Sequence, residues 1–387
     1  MRWPVFAAGF RPAFLAAGLA AFVLIPIWVA VYVYGVTLPC PWPPTLWHAH
    51  EMMFGFIGAA IAGFLLTAVP NWTGQRGVAG APLAALLVVW LAARVAIATA
   101  SWWPAGVVAA LDLAFFPMLA SMIAPSLLRA GNRNWPLLLV LGALTACDAV
   151  FHFQLLRRDA AAALRAILVA IDLALLLVTV IGGRIVPAFT SGALRGEGVT
   201  MRTFPGIGPA AIVAMAAVAI VDAVDPGGRT AAVTAGIAAL VQAVRLAQWR
   251  SGRTLSKPLV WVLHLGYAWM PLGLALKCAA LLGGAAIAAF WLHALTVGAL
   301  ATMILGVITR AALGHSGRPL EPDPRTVIAY ALLLLAGLAR VFGFALLGLA
   351  YPVVILIAAF LWTGAFGLFL WVYAPILLSP RADGRPG

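Results

Sequence analysis

Trp47 to Asn71 reads WHAHEMMFGFIGAAIAGFLLTAVPN. The run is long enough to cross a bilayer, because about 20 apolar residues span the roughly 30 Å hydrocarbon core. Its first turn nevertheless carries His48, His50 and Glu51. Such groups are costly in hydrocarbon and mark functional sites when they are kept there. The stretch therefore predicts a membrane helix with chemistry at one end.

The rest of the chain follows the same pattern. Apolar residues make up 64% of 387 positions and charged residues 9%, against about 25% charged in a typical globular chain. The apolar runs are continuous and not alternating, which selects helices over barrel strands. Twelve spans are expected, at 12–36, 47–69, 81–100, 104–129, 136–156, 160–183, 205–224, 229–249, 258–282, 285–312, 326–350 and 352–378. The fold class is an all-α polytopic membrane protein, with residues 1–387 as a single integral-membrane domain. Pro12, Pro82, Pro104, Pro136 and Pro258 open spans, where the missing N–H is not needed. Trp42, Trp47, Trp72, Trp102, Trp103 and Trp135 fall at span ends, as interfacial aromatics do. No internal repeat stands out. The longest connection, Arg184 to Phe204, contains RIVPAFT and is long enough to be a functional loop.

Alternate loops differ sharply in charge: seventeen Lys and Arg residues lie on one side, from Arg2 and Arg11 to Arg381 and Arg385, against Arg157, Arg158, Arg165 and Arg229 on the other. Both termini are thus expected to be cytoplasmic. The net charge of +13 is spread among these loops and forms no basic patch, which excludes nucleic acid as a partner. The N-terminal segment runs into the first span with no signal-cleavage pattern. Cys40, Cys147 and Cys278 are far apart, with no CxxC pair and no CxxCH haem-attachment site.

With this topology the buried polar residues gather in the outer half. His48, His50 and Glu51 lie at the outer end of the second span, and Asp148 and His152 near the outer end of the fifth. His293 lies about 12 Å deep in the tenth at 1.5 Å per residue. Arg94, Asp112, Lys277 and Arg340 fall in the same half. His48 and Glu51 share a helix face with Gly55, Ala59 and Gly63, a row of small residues that either admits a neighbouring helix or leaves room for a flat cofactor. His50 points elsewhere in a regular helix, so the two histidines do not share a metal unless the turn is distorted. Asp148 and His152 have the i, i+4 spacing at which a carboxylate orients an imidazole. His264, ahead of Pro271, and His315 lie on the inner side.

Imidazole suits haem iron and copper, whereas calcium and magnesium want clusters of oxygen ligands. The expected metal ligands are His48, His50, His152 and His293. Without CxxCH any haem would be held by axial histidine. Arg94, Asp112 and Arg340 read as buried ion-pairing groups, the arginines also as partners for haem propionates.

These motifs resemble the NnrS family of bacterial haem- and copper-containing membrane proteins. The resemblance rests on FRPAF (Phe10–Phe14), WHAHEMMFGF with AGFLLTAVPNWTG (Trp47–Gly74), and GGRIVPAFT (Gly182–Thr190). It continues through HLGYAWMPLGL (His264–Leu274) and HALTVGALATMILGVITRAALGHSGRPL (His293–Leu320). It implies a twelve-span fold, bound haem b and copper, and a role in nitric oxide metabolism or tolerance in denitrifying or NO-exposed bacteria. The family's motif histidines fall on His48, His50, His264, His293 and His315.

The leading expectation is a multi-pass inner-membrane protein that binds or turns over nitric oxide or a related small molecule. Its partners would be membrane lipid and a separate electron donor. His48, His50, His264, His293, His315, Arg94 and Arg340 are the cofactor-binding candidates, and Glu51 and Asp148 the proton carriers of an oxidoreductase of nitric-oxide-reductase type. The alternative is a proton-coupled secondary transporter of a small anion or metal ion, although the paired repeats and broken helices common there are not visible. A respiratory oxygen reductase is disfavoured, since a tandem His-His pair and an HPEVY-type segment are absent.

Overall fold

Pro44, Pro82, Pro258 and Pro324 stand in the first turn of their helices, where their fixed φ is pre-set for helix and no N–H is lost. Gly74, Gly284 and Gly348 close helices in the left-handed conformation, which a glycine adopts without Cβ strain. Between these signals the computed structural model, which describes residues 3–197, 201, 204–284 and 286–385, is helical, with no strand among the described residues.

Among the described residues, twelve helices are long and apolar enough to cross a membrane. They are α1 (Phe10–Tyr32), α2 (Pro44–Thr73), α3 (Ala81–Ala98), α4 (Ala105–Arg129), α5 (Leu137–Leu156), α6 (Ala160–Ala193), α7 (Ile207–Val224), α8 (Arg229–Ala247), α9 (Pro258–Gly283), α10 (Ala286–His315), α11 (Pro324–Leu347) and α12 (Tyr351–Leu378). The chain is a multi-pass membrane protein. Arg2 and Arg202, counted in the loop charges, lie outside the described residues.

One expectation is corrected. The connection read from Arg184 onward is helical through Ala193, with Pro187 inside the helix. RIVPAFT is therefore the end of α6 and not a loop. The arginine and proline that suggest a break are outweighed by contacts along this stretch: the Arg310 guanidinium lies 4.1 Å from the Phe189 ring centroid, and Thr190 Oγ1 is 2.8 Å from His264 Nε2.

The chain forms two compact units. Unit 1 comprises Met1–Ala170, Ala311–Leu320 and Phe369–Gly387. Within it, a Cβ at Gly63 would lie 2.5 Å from two carbons of the Phe14 ring, so this glycine lets α1 lie close against α2. Arg11 of the FRPAF motif is fully buried. Its Nη1 donates to the carbonyls of Leu377 (3.1 Å) and Ser379 (2.5 Å) at the end of α12, where free carbonyls and the helix dipole favour a cation.

Unit 2 comprises Ile171–Arg310 and Glu321–Leu368. Its polar core is a network: Arg245 donates to the Thr179 carbonyl (2.7 Å), Gln242 donates to Thr179 Oγ1 (3.0 Å), and Tyr267 donates to Gln242. A Cβ at Gly183 would collide with the Arg245 guanidinium. The second glycine of GGRIVPAFT thus makes room for a buried cation.

Candidate metal centre

The site in unit 1 begins with an irregular turn. After His50, α2 widens into a π-helical segment, Glu51–Ile57, a feature that recurs at functional sites. Trp90 on α3 donates its indole N–H to the Gly55 carbonyl in this segment at 3.0 Å. One turn further along α3, Arg94 lies across Gly55, where a Cβ would come within 3.2 Å of its Cδ and Nη1. The Gly55–Ala59–Gly63 face is therefore closed by Arg94 and Phe14 and leaves no slot for a flat cofactor. A second irregularity sits on α4. Its helix is interrupted at Ala114, whose N–H bonds back to the Asp112 carbonyl, and this tight turn holds Asp112 beside α2.

Four side chains converge there. His50 Nε2 is 3.0 Å from Asp112 Oδ2 and 3.0 Å from Asp148 Oδ1. His152 Nε2 is 3.0 Å from Asp112 Oδ2 and 3.7 Å from Asp148 Oδ1. One ligand atom from each of the four lies within 4.8 Å of the others. All are buried, with His50 at 0% and His152 the most exposed at 7%.

A surrounding ring orients these groups. His50 Nδ1 is 3.3 Å from Glu51 Oε1. Arg94 donates from Nη1 to Glu51 at 2.7 Å and from Nη2 to Asp112. With Nδ1–H donating to Glu51, the Nε2 lone pair of His50 faces the two aspartates. Lone pair and carboxylates at 3 Å repel unless a proton or a cation sits among them. Glu51, Asp112 and Asp148 against Arg94 alone leave two negative charges with both imidazoles neutral, a charge that one divalent cation balances. Buried charge of this kind must be paired or must coordinate a metal.

The Trp42 ring, from the loop between α1 and α2, stands edge-on over both imidazoles, 5.3 Å from His50 and 5.5 Å from His152 between centroids. Phe54 and Phe151 flank His50 at 4.8 and 4.6 Å. The centre is thus walled by aromatic rings, and only Trp42 among these three is partly exposed.

The sequence candidates separate as follows. His50, Glu51, Arg94, Asp148 and His152 come together. Glu51 groups with His50 and not with His48 as the regular helical spacing had it, because the adjacent residues meet at the head of the π-helical turn. His48 instead stacks on Trp28, with centroids 4.4 Å apart and planes at 20°. His264 is in unit 2, held by Thr190 Oγ1 at 2.8 Å and Ser251 Oγ at 2.9 Å. His293, also in unit 2, heads a second π-helical segment, Ala294–Ala301. Arg340 lies 4.6 Å from the Phe290 ring centroid and donates to the Tyr351 hydroxyl at 2.9 Å. The His315 ring lies 5.7 Å from that of Phe10, and its carbonyl accepts from Arg381 at 2.8 Å.

Two members of the site escaped the sequence reading. Asp112 was read as an ion-pairing residue, and its contact with Arg94 is real, but its second oxygen belongs to the four-ligand group. Its signal was a lone carboxylate in an apolar run. Trp42 was read as interfacial and is also the cover of the centre.

The family model described as NnrS protein matches residues 4–381, nearly the whole chain. The chain belongs to the NnrS family. Among curated proteins no relative matches it. Membership and the buried His–Asp cluster together suggest that this NnrS chain binds metal and are consistent with a role connected to nitric oxide.

Proposed function

We propose that the chain is a copper-dependent protein of the bacterial inner membrane that acts on nitric oxide, in a setting of denitrification or nitrosative stress. The metal would be held by His50, Asp112, Asp148 and His152, towards the periplasmic side. The observation that carries this reading is the convergence of two imidazoles and two carboxylates, buried and within 4.8 Å of one another. Mixed nitrogen and oxygen donors suit Cu(II) and, among other ions, non-haem iron.

Bound copper would supply a redox-active centre with affinity for a small diatomic ligand. The protein's own groups do the rest. His50 and His152 offer Nε2, Asp112 and Asp148 offer one oxygen each, and Glu51 fixes the His50 ring through Nδ1. Arg94 offsets part of the carboxylate charge from behind. The Trp42, Phe54 and Phe151 rings surround the ligands with apolar surface, which disfavours bulk water more than an uncharged diatomic of low polarity. Reduction of nitric oxide consumes electrons and protons, so a separate electron donor is part of the proposal. Asp148, a ligand that also faces His50 and His152, would pass protons within the group.

Haem fits poorly at two of its expected positions. Both ring nitrogens of His264 are held by hydroxyls, and the small-residue face of α2 is filled by Phe14 and Arg94.

Nitric oxide consumption by copper-loaded protein in nanodiscs, supplied with a chemical reductant, tests the proposal. Wild type should consume it and His152→Ala should not. Equal rates in the two, or no rate above copper-free protein, would contradict it.

A further inference from the structure

Unit 2 buries a second ionisable group, separate from the metal centre. Asp172 on α6, Asp222 on α7 and Lys277 on α9 are 3%, 1% and 1% exposed. Lys277 Nζ pairs with Asp222 Oδ2 and lies 4.9 Å from the centroid of the Trp291 ring, which adds a cation–π attraction. The Asp172 and Asp222 carboxyl groups lie within hydrogen-bonding reach of each other, beside the Lys277 ammonium. Asp172 Oδ2 and Asp222 Oδ1 are buried and receive no hydrogen bond from a protein donor among the described residues.

Two carboxylates against one ammonium leave one negative charge in an apolar interior. Carboxylates in contact do not both ionise, because each raises the cost of charging the other. An unpaired buried charge is also costly in its own right. A single proton settles every count: it neutralises the excess charge, turns a repulsive oxygen–oxygen contact into a hydrogen bond, and satisfies the orphaned oxygens. A sodium ion would match the charge, but it would leave the carboxyl–carboxyl contact without the hydrogen that makes it attractive.

We propose that Asp172 and Asp222 hold one exchangeable proton between them, with Lys277 fixing the ionised partner, so that α6, α7 and α9 carry a proton-binding site inside the membrane. Intramembrane carboxyls of this kind serve as stations in proton paths. The proposal does not depend on the metal reading.

Infrared difference spectroscopy of the full chain in nanodiscs tests it. At neutral pH the wild type should show the carbonyl stretch of a protonated carboxylic acid, shifted by D2O and by carboxyl-13C aspartate. Asp172→Asn should remove one such band. Should that variant fail to fold, Asp172→Glu should fold and move the band to a frequency insensitive to labelled aspartate. Lys277→Met should raise the band area, because Asp222 then loses its cation and takes up a proton. The proposal is overturned if the wild type shows no aspartic acid band at neutral pH. It is equally overturned if the band is untouched by both Asp172 variants, or if sodium chloride abolishes it at constant pH.

Discussion

Asp112 on α4 places Oδ2 3.0 Å from Nε2 of His50 on α2, and its other oxygen is bonded to Arg94. One carboxylate therefore faces a ligand on one side and a fixed cation on the other. The second contact sets the aim of the first, since an oriented carboxylate holds one oxygen toward the centre without searching rotamers. Asp112→Asn keeps the shape but loses the charge, so the metal site should lose most of its occupancy while the fold survives. Metal content and circular dichroism of the variant read the two effects separately.

Glu51 touches His50 at Nδ1 and lies outside the four-ligand group. Outer partners of this kind typically cost about 10–100-fold in metal affinity when changed. Glu51→Gln should weaken binding by that order while preserving one site per chain. Competition titration against a chelator of known affinity measures it, and an affinity equal to wild type would remove Glu51 from the account.

Arg94 is the cation facing two buried carboxylates. Arg94→Met leaves Glu51 and Asp112 uncompensated, a change that costs about 3–5 kcal/mol in buried pairs. Thermal unfolding in detergent should show the loss, and bound divalent metal should recover part of it. Gly55→Val should act in the same direction, because its side chain would meet Arg94 at the position where a Cβ already comes within 3.2 Å.

Metal and protons compete for the same atoms. The two excess negative charges are balanced either by one divalent ion or by protons held within the group, so binding should displace protons. Affinity should then fall as pH falls. Calorimetry in buffers of different ionisation heat counts the protons, and a count of zero at every pH would contradict the charge balance.

Cys40 reports on the loop that carries Trp42. Burial pushes its thiol up from 9.0 to about 11, opposed by a hydrogen bond from the Trp42 backbone and assisted by the negative charge of Glu51. The thiolate is the reactive form. Alkylation at pH 8 should be ~100-fold slower than in the unfolded chain and should quicken as pH approaches 11. Peptide mapping separates Cys40 from Cys147 and Cys278.

The twelve helices were legible because hydrocarbon leaves a backbone no other way to pair its polar groups. His50, Glu51, Asp148 and His152 stood out for the cost of burying them. Which of them meet was not legible. A π-helical turn at Glu51–Ile57 and a broken turn at Ala114 decide that, and neither has a composition signature. Asp112 looked like half of an ion pair because one oxygen is just that. Asp172 and Asp222 carried the same signal as Asp112, a lone carboxylate in an apolar run, and only the fold brings them together. RIVPAFT was misjudged because its arginine and proline suggest a loop, whereas contacts from Arg310 and His264 keep it helical.

The central claim is a metal ion held by His50, Asp112, Asp148 and His152. Elemental analysis of copper-loaded, chelator-washed protein, compared with His50→Ala and His152→Ala prepared the same way, tests it most directly. The account predicts about one bound copper per wild-type chain, with nitrogen and oxygen ligands by X-ray absorption, and near-complete loss in both variants. Copper retained in full by either variant, or absent from the wild type, would contradict it.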